Sequence, residues 1–194
     1  MTKIIGLTGG IGSGKTTLAN YIASKGIPVY IADDEAKKLM EKSKVIQEII
    51  KTFGEDVKAA NGIDKAKLSK LVFDSPDKLK QLNAIIHPKV GKHFEKWIKK
   101  NESHAIIVKE AAILFESGAY KNCDKIITVV VPENIRIQRV VRRDNATEEM
   151  VRSRIKNQWS DEQRMALSDY IVRNENLEEA KNQVDVIINE LQNV

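Results

Sequence analysis

The chain has 194 residues, 42% of them hydrophobic and 30% charged, a composition typical of a globular protein long enough to bury one substantial core. Its 32 basic and 27 acidic residues give a formal charge of +5, which suits a polyphosphate ligand or simply solvated lysines on helix faces. No apolar run approaches the roughly 18 residues of a membrane span, no secretory signal is recognisable and Cys123 is the single cysteine, so we expect a cytoplasmic protein without a membrane partner.

Short apolar runs alternate with helical patterns along the chain, which is typical of a parallel sheet covered by helices on both faces. Strands are predicted at 3–8, 27–31, 105–109, 125–130 and, more weakly, 169–173. A helix is predicted at 15–24, with Gly26 as its cap. The last helix carries an apolar stripe at Leu177, Ala180, Val184, Ile187, Ile188 and Leu191.

Two segments interrupt this alternation. About seventy residues separate the second and third strands, far more than one crossover helix requires. Their apolar stripes at 45–53, 79–86 and 90–98 predict helices, and His87-Pro88 predicts a break between the last two. We expect these helices to build a site beside the strand ends for the molecule that accepts a transferred group. A shorter excursion runs from Arg139 to about Gln163.

Residues 9–16, Gly-Gly-Ile-Gly-Ser-Gly-Lys-Thr, match the complete phosphate-loop pattern G-x-x-x-x-G-K-[ST] between a predicted strand and a predicted helix. The glycines let backbone N–H groups converge on phosphate oxygens, Lys15 can reach the β- and γ-phosphates, and the Thr16 hydroxyl can ligate Mg²⁺. The alternative, a tight turn without a ligand, is disfavoured by the strand–loop–helix context. The predicted ATP-binding residues are Gly9, Gly12, Ser13, Gly14, Lys15, Thr16 and Thr17.

A phosphate loop alone does not separate kinases from GTPases, motors or transporters. No N-K-x-D guanine-reading tetrapeptide follows a predicted strand, and the chain is short for an oligomeric ATPase module. No groove of alternating aromatic and basic residues indicates nucleic acid. Of the classes of phosphate-loop protein, these absences favour the small-molecule kinases.

Two carboxylates follow predicted strands. Asp33 can take a proton from an acceptor hydroxyl, or hold a water on Mg²⁺; the alternative is a helix cap, which Asp34 could also provide. Glu110 can contact the metal, or it can be a solvated charge at a strand end.

Three arginines, Arg139, Arg142 and Arg143, share one face of a predicted helix. They can stabilise charge on a transferring phosphoryl group. Alternatively, Asp144, Glu148 and Glu149 neutralise them in a surface network.

Taken together, these motifs resemble the bacterial dephospho-CoA kinase family from end to end. Residues 7–17 read L-T-G-G-I-G-S-G-K-T-T, close to the family's L-T-G-G-I-G-S-G-K-S-T. Further matches are Pro28-Val29 with Ala32-Asp33 and Ala36, Leu82 to Pro88, Leu114 to Gly118, Arg143-Asp144 with Arg154, Ile155 and Gln158, and Ser168 to Tyr170 with Asn174. Departures include Ile31 for the first acid of D-A-D, Lys109 to Ala112 for apolar-Asp-apolar-Pro, Val151 for an alanine, and threonine at position 16.

The resemblance implies a P-loop kinase of the α/β class: a five-stranded parallel core (1–33, 104–138 and 165–194), a helical insertion that binds the acceptor (34–103) and a lid (139–164). It implies a catalytic base at Asp33, lid arginines at Arg139 and Arg143, and an adenine pocket near Asn174. It places His87 and Leu114, Phe115 and Glu116 around the acceptor, and it makes Glu110 a substitute for the family's acid.

The implied reaction transfers the γ-phosphate of ATP to the ribose 3′-hydroxyl of dephospho-CoA, with Mg²⁺. The rival hypotheses are another nucleoside or nucleotide kinase and, motivated by the charge, a nucleotide-dependent switch or nucleic-acid-binding ATPase. A monomer or a weak homo-oligomer is expected.

Overall fold

A parallel five-stranded sheet organises Met1–Ile31 and Lys100–Val194, the larger of two units into which the chain divides. The computed structural model describes residues 2–73 and 75–193. The strands of this sheet are β1 (Lys3–Thr8), β2 (Val29–Ile31), β5 (Ile106–Glu110), β6 (Lys125–Val130) and β7 (Tyr170–Arg173), in the spatial order β2-β5-β1-β6-β7. The predicted sheet is confirmed, with small shifts at the strand ends.

The core of this unit lies between the sheet and two helices, α1 (Lys15–Ser24) and α9 (Leu177–Asn193). Strands β1 and β6 contribute residues such as Leu7 and Ile127, both fully buried. The apolar stripe of α9 is buried as predicted from Ala180 to Leu191, but Leu177 is 37% exposed because it lies at the first turn of the helix.

Three further helices follow β6 in this unit: α6 (Glu133–Asp144), α7 (Glu148–Lys156) and α8 (Asp161–Met165). Asn145 ends α6 in the left-handed conformation with φ of 50°, a conformation that asparagine tolerates. The Thr147 side chain caps α7, and Ser160 and Gln163 form a capping box on α8. The packing of α6 against α7 buries Val140 and Val151.

The second unit, Ala32–Lys99, contains α2 (Ala32–Met40), α3 (Ser43–Phe53), the hairpin strands β3 (Lys58–Ala59) and β4 (Gly62–Ile63), α4 (Lys65–Phe73) and α5 (Pro76–Lys100), whose last residue belongs to the first unit. Its own core is centred on residues such as Val45, Ile49 and Ile86. The sequence interpretation did not predict the hairpin, whose two turn residues are Ala60 and Asn61.

The predicted helix break at His87-Pro88 is wrong, because α5 runs through it without interruption. Pro88 lacks the N–H that would bond the carbonyl four residues earlier, at a cost of roughly 3 kcal/mol. The apolar residues Ile86 and Phe94 on either side of it are buried, and their packing offsets that loss. Among the described residues, no helix combines the length and apolar character required to cross a membrane.

Candidate active site

The phosphate loop joins the end of β1 to the start of α1, as its sequence pattern predicted. Gly12 and Gly14 have φ angles of 81° and 84°, in the left-handed region that favours glycine. A Cβ atom at Gly12 would also lie 2.6 Å from the carbonyl oxygen of Arg136. Backbone conformation and space therefore both require glycine at position 12.

Lys15 begins α1, and its Nζ lies 3.8 Å from Oε1 of Glu110. Glu110 ends β5 and is only 1% exposed. Thr16 and Thr17 follow Lys15 in the first turn of α1 and are exposed. The structure thus brings the predicted phosphate-binding lysine and the predicted metal-binding carboxylate together at one edge of the sheet.

Two amide side chains hold the phosphate loop from distant parts of the sequence. The Ile11 N–H donates to Oε1 of Gln158 at 2.9 Å, and Nδ2 of Asn174 donates to the Ser13 carbonyl at 2.7 Å. Asn174, predicted near an adenine pocket, is 3% exposed, so its amide acts on the loop from within the protein. Gln158 was recognised only as a motif residue.

A buried ionic cluster lies against the loop, and we define it as Arg136, Arg164, Asp161 and Glu116. Arg164 is fully buried and pairs with Glu116 and Asp161, each at 3.2 Å. Nη1 of Arg136 lies 3.8 Å from Asp161, and a methyl group at Gly10 would overlap the Arg136 guanidinium.

The sequence interpretation missed both arginines of this cluster. Charged residues on polar helices are normally exposed, so the sequence around Arg136 and Arg164 did not indicate that these side chains are buried. A glycine at position 10 could only have indicated that something packs closely against the loop there.

The segment after β5 was predicted to line the acceptor. Leu114 is fully buried and Phe115 is 2% exposed, so neither side chain is itself open to a ligand. The Phe115 ring stacks on Trp159, with centroids 5.6 Å apart and planes 3° from parallel. Glu116 accepts a hydrogen bond from the backbone N–H of Trp159 at 3.0 Å as well as one from Arg164.

The three arginines of α6 that were predicted to stabilise the phosphoryl group have different surroundings. Nη2 of Arg139 donates to the Glu175 carbonyl at 3.2 Å, and Arg142 is exposed. Arg143 forms two hydrogen bonds with Asp144, and these bonds lower the pKa of the Asp144 carboxyl. For Arg143 the structure therefore has the surface ion pair that the sequence left open as an alternative.

The remaining predicted residues belong to the second unit. Asp33 is exposed in the first turn of α2, one residue before Asp34, which pairs with Lys37 at 2.9 Å. Since the helix begins at Ala32, Asp33 is inside it rather than at its cap. His87 is exposed on α5.

The first unit also contains a buried lysine, Lys109, and a half-buried thiol, Cys123. Lys109 in β5 is 8% exposed, and burial lowers the pKa of its ammonium. Burial raises the pKa of the Cys123 thiol to about 11, an effect that the charge of Lys109 partly opposes.

A complete phosphate loop on a β2-β5-β1-β6-β7 parallel sheet, with an arginine-rich helical excursion after β6, defines a P-loop kinase. The family model described as CoaE, dephospho-CoA kinase, matches residues 3–179. A dephospho-CoA kinase from Fusobacterium nucleatum subsp. nucleatum is 44% identical over 184 residues, covering 94% of this chain and 95% of that protein.

Solved structures agree with this match. A crystal structure of TT1252 from Thermus thermophilus superposes with a TM-score of 0.88 at 28% identity, over 98% of each chain. A dephospho-CoA kinase from Campylobacter jejuni gives a TM-score of 0.72 at 28% identity, over 100% of this chain and 98% of that one. The chain belongs to the dephospho-CoA kinase family and is an ATP-dependent kinase.

Proposed function

We propose that this protein transfers the γ-phosphate of ATP to the ribose 3′-hydroxyl of dephospho-CoA, giving CoA and ADP, the last step of coenzyme A biosynthesis. The observation that carries the proposal is the phosphate loop with Lys15 beside the buried Glu110, in a chain whose sequence follows the dephospho-CoA kinase family over residues 3–179. ATP and dephospho-CoA are the partners, and the cytoplasm, where ATP is available, is the proposed compartment.

In this reaction the bond between the γ-phosphorus and the β–γ bridging oxygen breaks, and a bond from that phosphorus to the 3′-oxygen forms. The backbone N–H groups of the phosphate loop hold the phosphates, and Lys15 neutralises charge on the β- and γ-phosphates. Lys15 is preorganised for this task because its helix begins directly at the loop and its ammonium is already directed toward the sheet edge by Glu110.

Asp33 is the proposed base that accepts the proton of the 3′-hydroxyl. It lies two residues beyond Ile31, the end of β2, and Ile31 is in register with Glu110 of β5. Its exposure supports this role, since a base must be open to the substrate.

The other assignments follow the family motifs. Arg139 and Arg143 are proposed to stabilise charge on the transferring phosphoryl group, which requires Arg143 to leave Asp144. Asn174 is proposed to lie near the adenine pocket, where its side chain also bonds the phosphate loop. The acceptor is proposed to meet His87 and the surface shaped by Leu114, Phe115 and Glu116. The corresponding segments are the core at 1–33, 104–138 and 165–194, the acceptor-binding insertion at 34–103 and the lid at 139–164.

The residues present fit a magnesium ion. Within the described part of the chain no group of three or more His, Cys, Asp or Glu residues gathers to hold a metal, but Mg²⁺ needs only one or two protein oxygens beside substrate phosphates. The Thr16 hydroxyl and the Glu110 carboxylate supply such oxygens. When bound, Mg²⁺ would neutralise charge on the β- and γ-phosphates.

A coupled assay of ADP release, with dephospho-CoA, AMP and nucleosides as separate acceptors, tests the function. The expected result is rapid, Mg²⁺-dependent release with dephospho-CoA and a mass gain of one phosphate on that acceptor. Faster phosphorylation of AMP or a nucleoside would replace the proposal with another nucleotide kinase. ATP hydrolysis stimulated by nucleic acid and not by dephospho-CoA would replace it with a nucleic-acid-dependent ATPase.

A further inference from the structure

The first half of the phosphate loop contains three glycines in four positions, Gly9, Gly10 and Gly12 around Ile11. Glycine loses more conformational freedom on ordering than any other residue. A loop of this composition must be held by outside contacts if its N–H groups are to be aligned before a ligand arrives. The second half has such support, since Ser13 is bonded to Asn174 and Gly14 accepts from Leu18 in α1.

For the first half, the Gln158 side chain provides a contact from outside the loop, through its 2.9 Å bond from the Ile11 N–H. The Ser13 N–H also donates to the Gly10 carbonyl at 3.1 Å, which closes a turn around Ile11. A bond that holds Ile11 in place therefore also restrains the residues before and after it in this turn. Gln158 is half-buried and lies two residues beyond the end of α7, and its own N–H donates to the Ile155 carbonyl.

The neighbour of Gln158 is anchored by charge and by ring stacking. The backbone N–H of Trp159 donates to Glu116, and the Trp159 ring stacks on Phe115. Glu116 is held in turn by the fully buried Arg164, which also pairs with Asp161. The position of the Gln158 backbone is therefore set by buried contacts, and its amide reaches the loop from a fixed point.

We propose that Gln158 is a positioning residue that aligns the phosphate loop for the phosphates of the nucleotide. It does so through Ile11, whose N–H is occupied by Gln158 and is thereby turned away from the ligand. The inference rests on the proposed function only in taking ATP as the nucleotide, and it does not depend on which acceptor is used. Removing the Gln158 amide should weaken binding to any ligand held by its phosphates.

The test compares Gln158→Met, which keeps the length of the side chain but removes the strong acceptor, with Gln138→Met on the exposed surface of α6. Dissociation constants for ADP and for inorganic tripolyphosphate are measured by calorimetry. Both should rise about tenfold in Gln158→Met, the loss of one hydrogen bond, and remain unchanged in Gln138→Met. Amide hydrogen exchange at Ile11 should accelerate in the first variant alone.

Steady-state kinetics separate positioning from general stability. The KM for ATP should rise about tenfold in Gln158→Met, while kcat and the KM for dephospho-CoA stay within twofold. If Gln158→Met does not fold, Gln158→Asn, shorter by one methylene, makes the same prediction. Nucleotide and tripolyphosphate affinities within twofold of wild type, with only a lower melting temperature, would overturn the proposal. Failure of dephospho-CoA as a substrate would leave these binding results intact.

Discussion

The ammonium of Lys15 lies 3.8 Å from a carboxylate oxygen of Glu110 that the protein has almost completely removed from solvent. The pair joins the start of α1 to the end of β5, and its two residues are 95 positions apart in sequence. This ion pair holds the Lys15 ammonium at the sheet edge. When nucleotide binds, the same ammonium would interact with both Glu110 and the phosphates.

Replacing Lys15 by methionine should lower kcat/KM by roughly 10³, because a charge aimed at the transferring phosphate is lost. The assay of ADP release with dephospho-CoA measures it, and the exposed Lys121→Met is the matched control. A Lys15→Met protein with a native circular dichroism spectrum and more than a tenth of the wild-type kcat/KM would contradict the proposed role.

Asp33→Asn should lower kcat by at least roughly a hundredfold with little change in the KM for ATP, because general base catalysis is typically worth 10²–10⁴. Asp34→Asn is a close control, since Asp34 is the next residue of the same helical turn and is also exposed. Equal losses in both variants would indicate an effect on α2 as a whole, and near-wild-type turnover in Asp33→Asn would remove the base assignment.

Gly12→Ala and Gly91→Ala should change stability in opposite directions. At Gly12 the added methyl group meets the Arg136 carbonyl at 2.6 Å and the backbone is left-handed, so we expect a loss of about 2 kcal/mol in the free energy of unfolding and weaker ATP binding. At Gly91 nothing lies within 4 Å, and alanine should stabilise α5 by about 0.5–1 kcal/mol. Urea denaturation measures both, and a neutral Gly12→Ala would argue against the described loop conformation.

Arg164→Met should lower the free energy of unfolding by about 3–5 kcal/mol, because it leaves Glu116 without its buried cation and Asp161 with only the more distant Arg136. The triple variant Arg164→Met, Glu116→Gln, Asp161→Asn should recover part of that loss, since the buried charges are removed together. A loss below 1 kcal/mol in the single variant would show that the cluster is open to water.

The Cys123 thiol should react slowly with a disulfide reagent in the native protein. Its pKa, raised by burial from 9.0 to about 11, leaves roughly one-hundredth of the thiolate found in the unfolded chain at pH 8. Because the unfolded chain releases this proton first, the contribution of Cys123 to stability is complete below about pH 9 and is lost as the pH rises through 11. Native and urea-unfolded reaction rates that are equal at pH 8 would contradict this burial.

The phosphate loop could be predicted because all its determinants lie in eight consecutive residues, and a buried strand and an amphipathic helix flank them. The strands were predictable for a similar reason: a parallel strand covered on both faces is an uninterrupted apolar run. The helix break at His87-Pro88 was predicted wrongly because only the local helix propensity of proline was considered. The burial of Ile86 and Phe94, which outweighs that propensity, depends on tertiary packing.

The sequence by itself determined the class of chemistry, since a contiguous motif carries its own geometry. Only the tertiary structure decided how that motif is held in place. The bond from Ile11 to Gln158 spans 147 residues and the pair of Arg164 with Glu116 spans 48. Whether an arginine is exposed or buried depends on which parts of the folded chain pack against it. That is decided by tertiary packing and not by the local sequence.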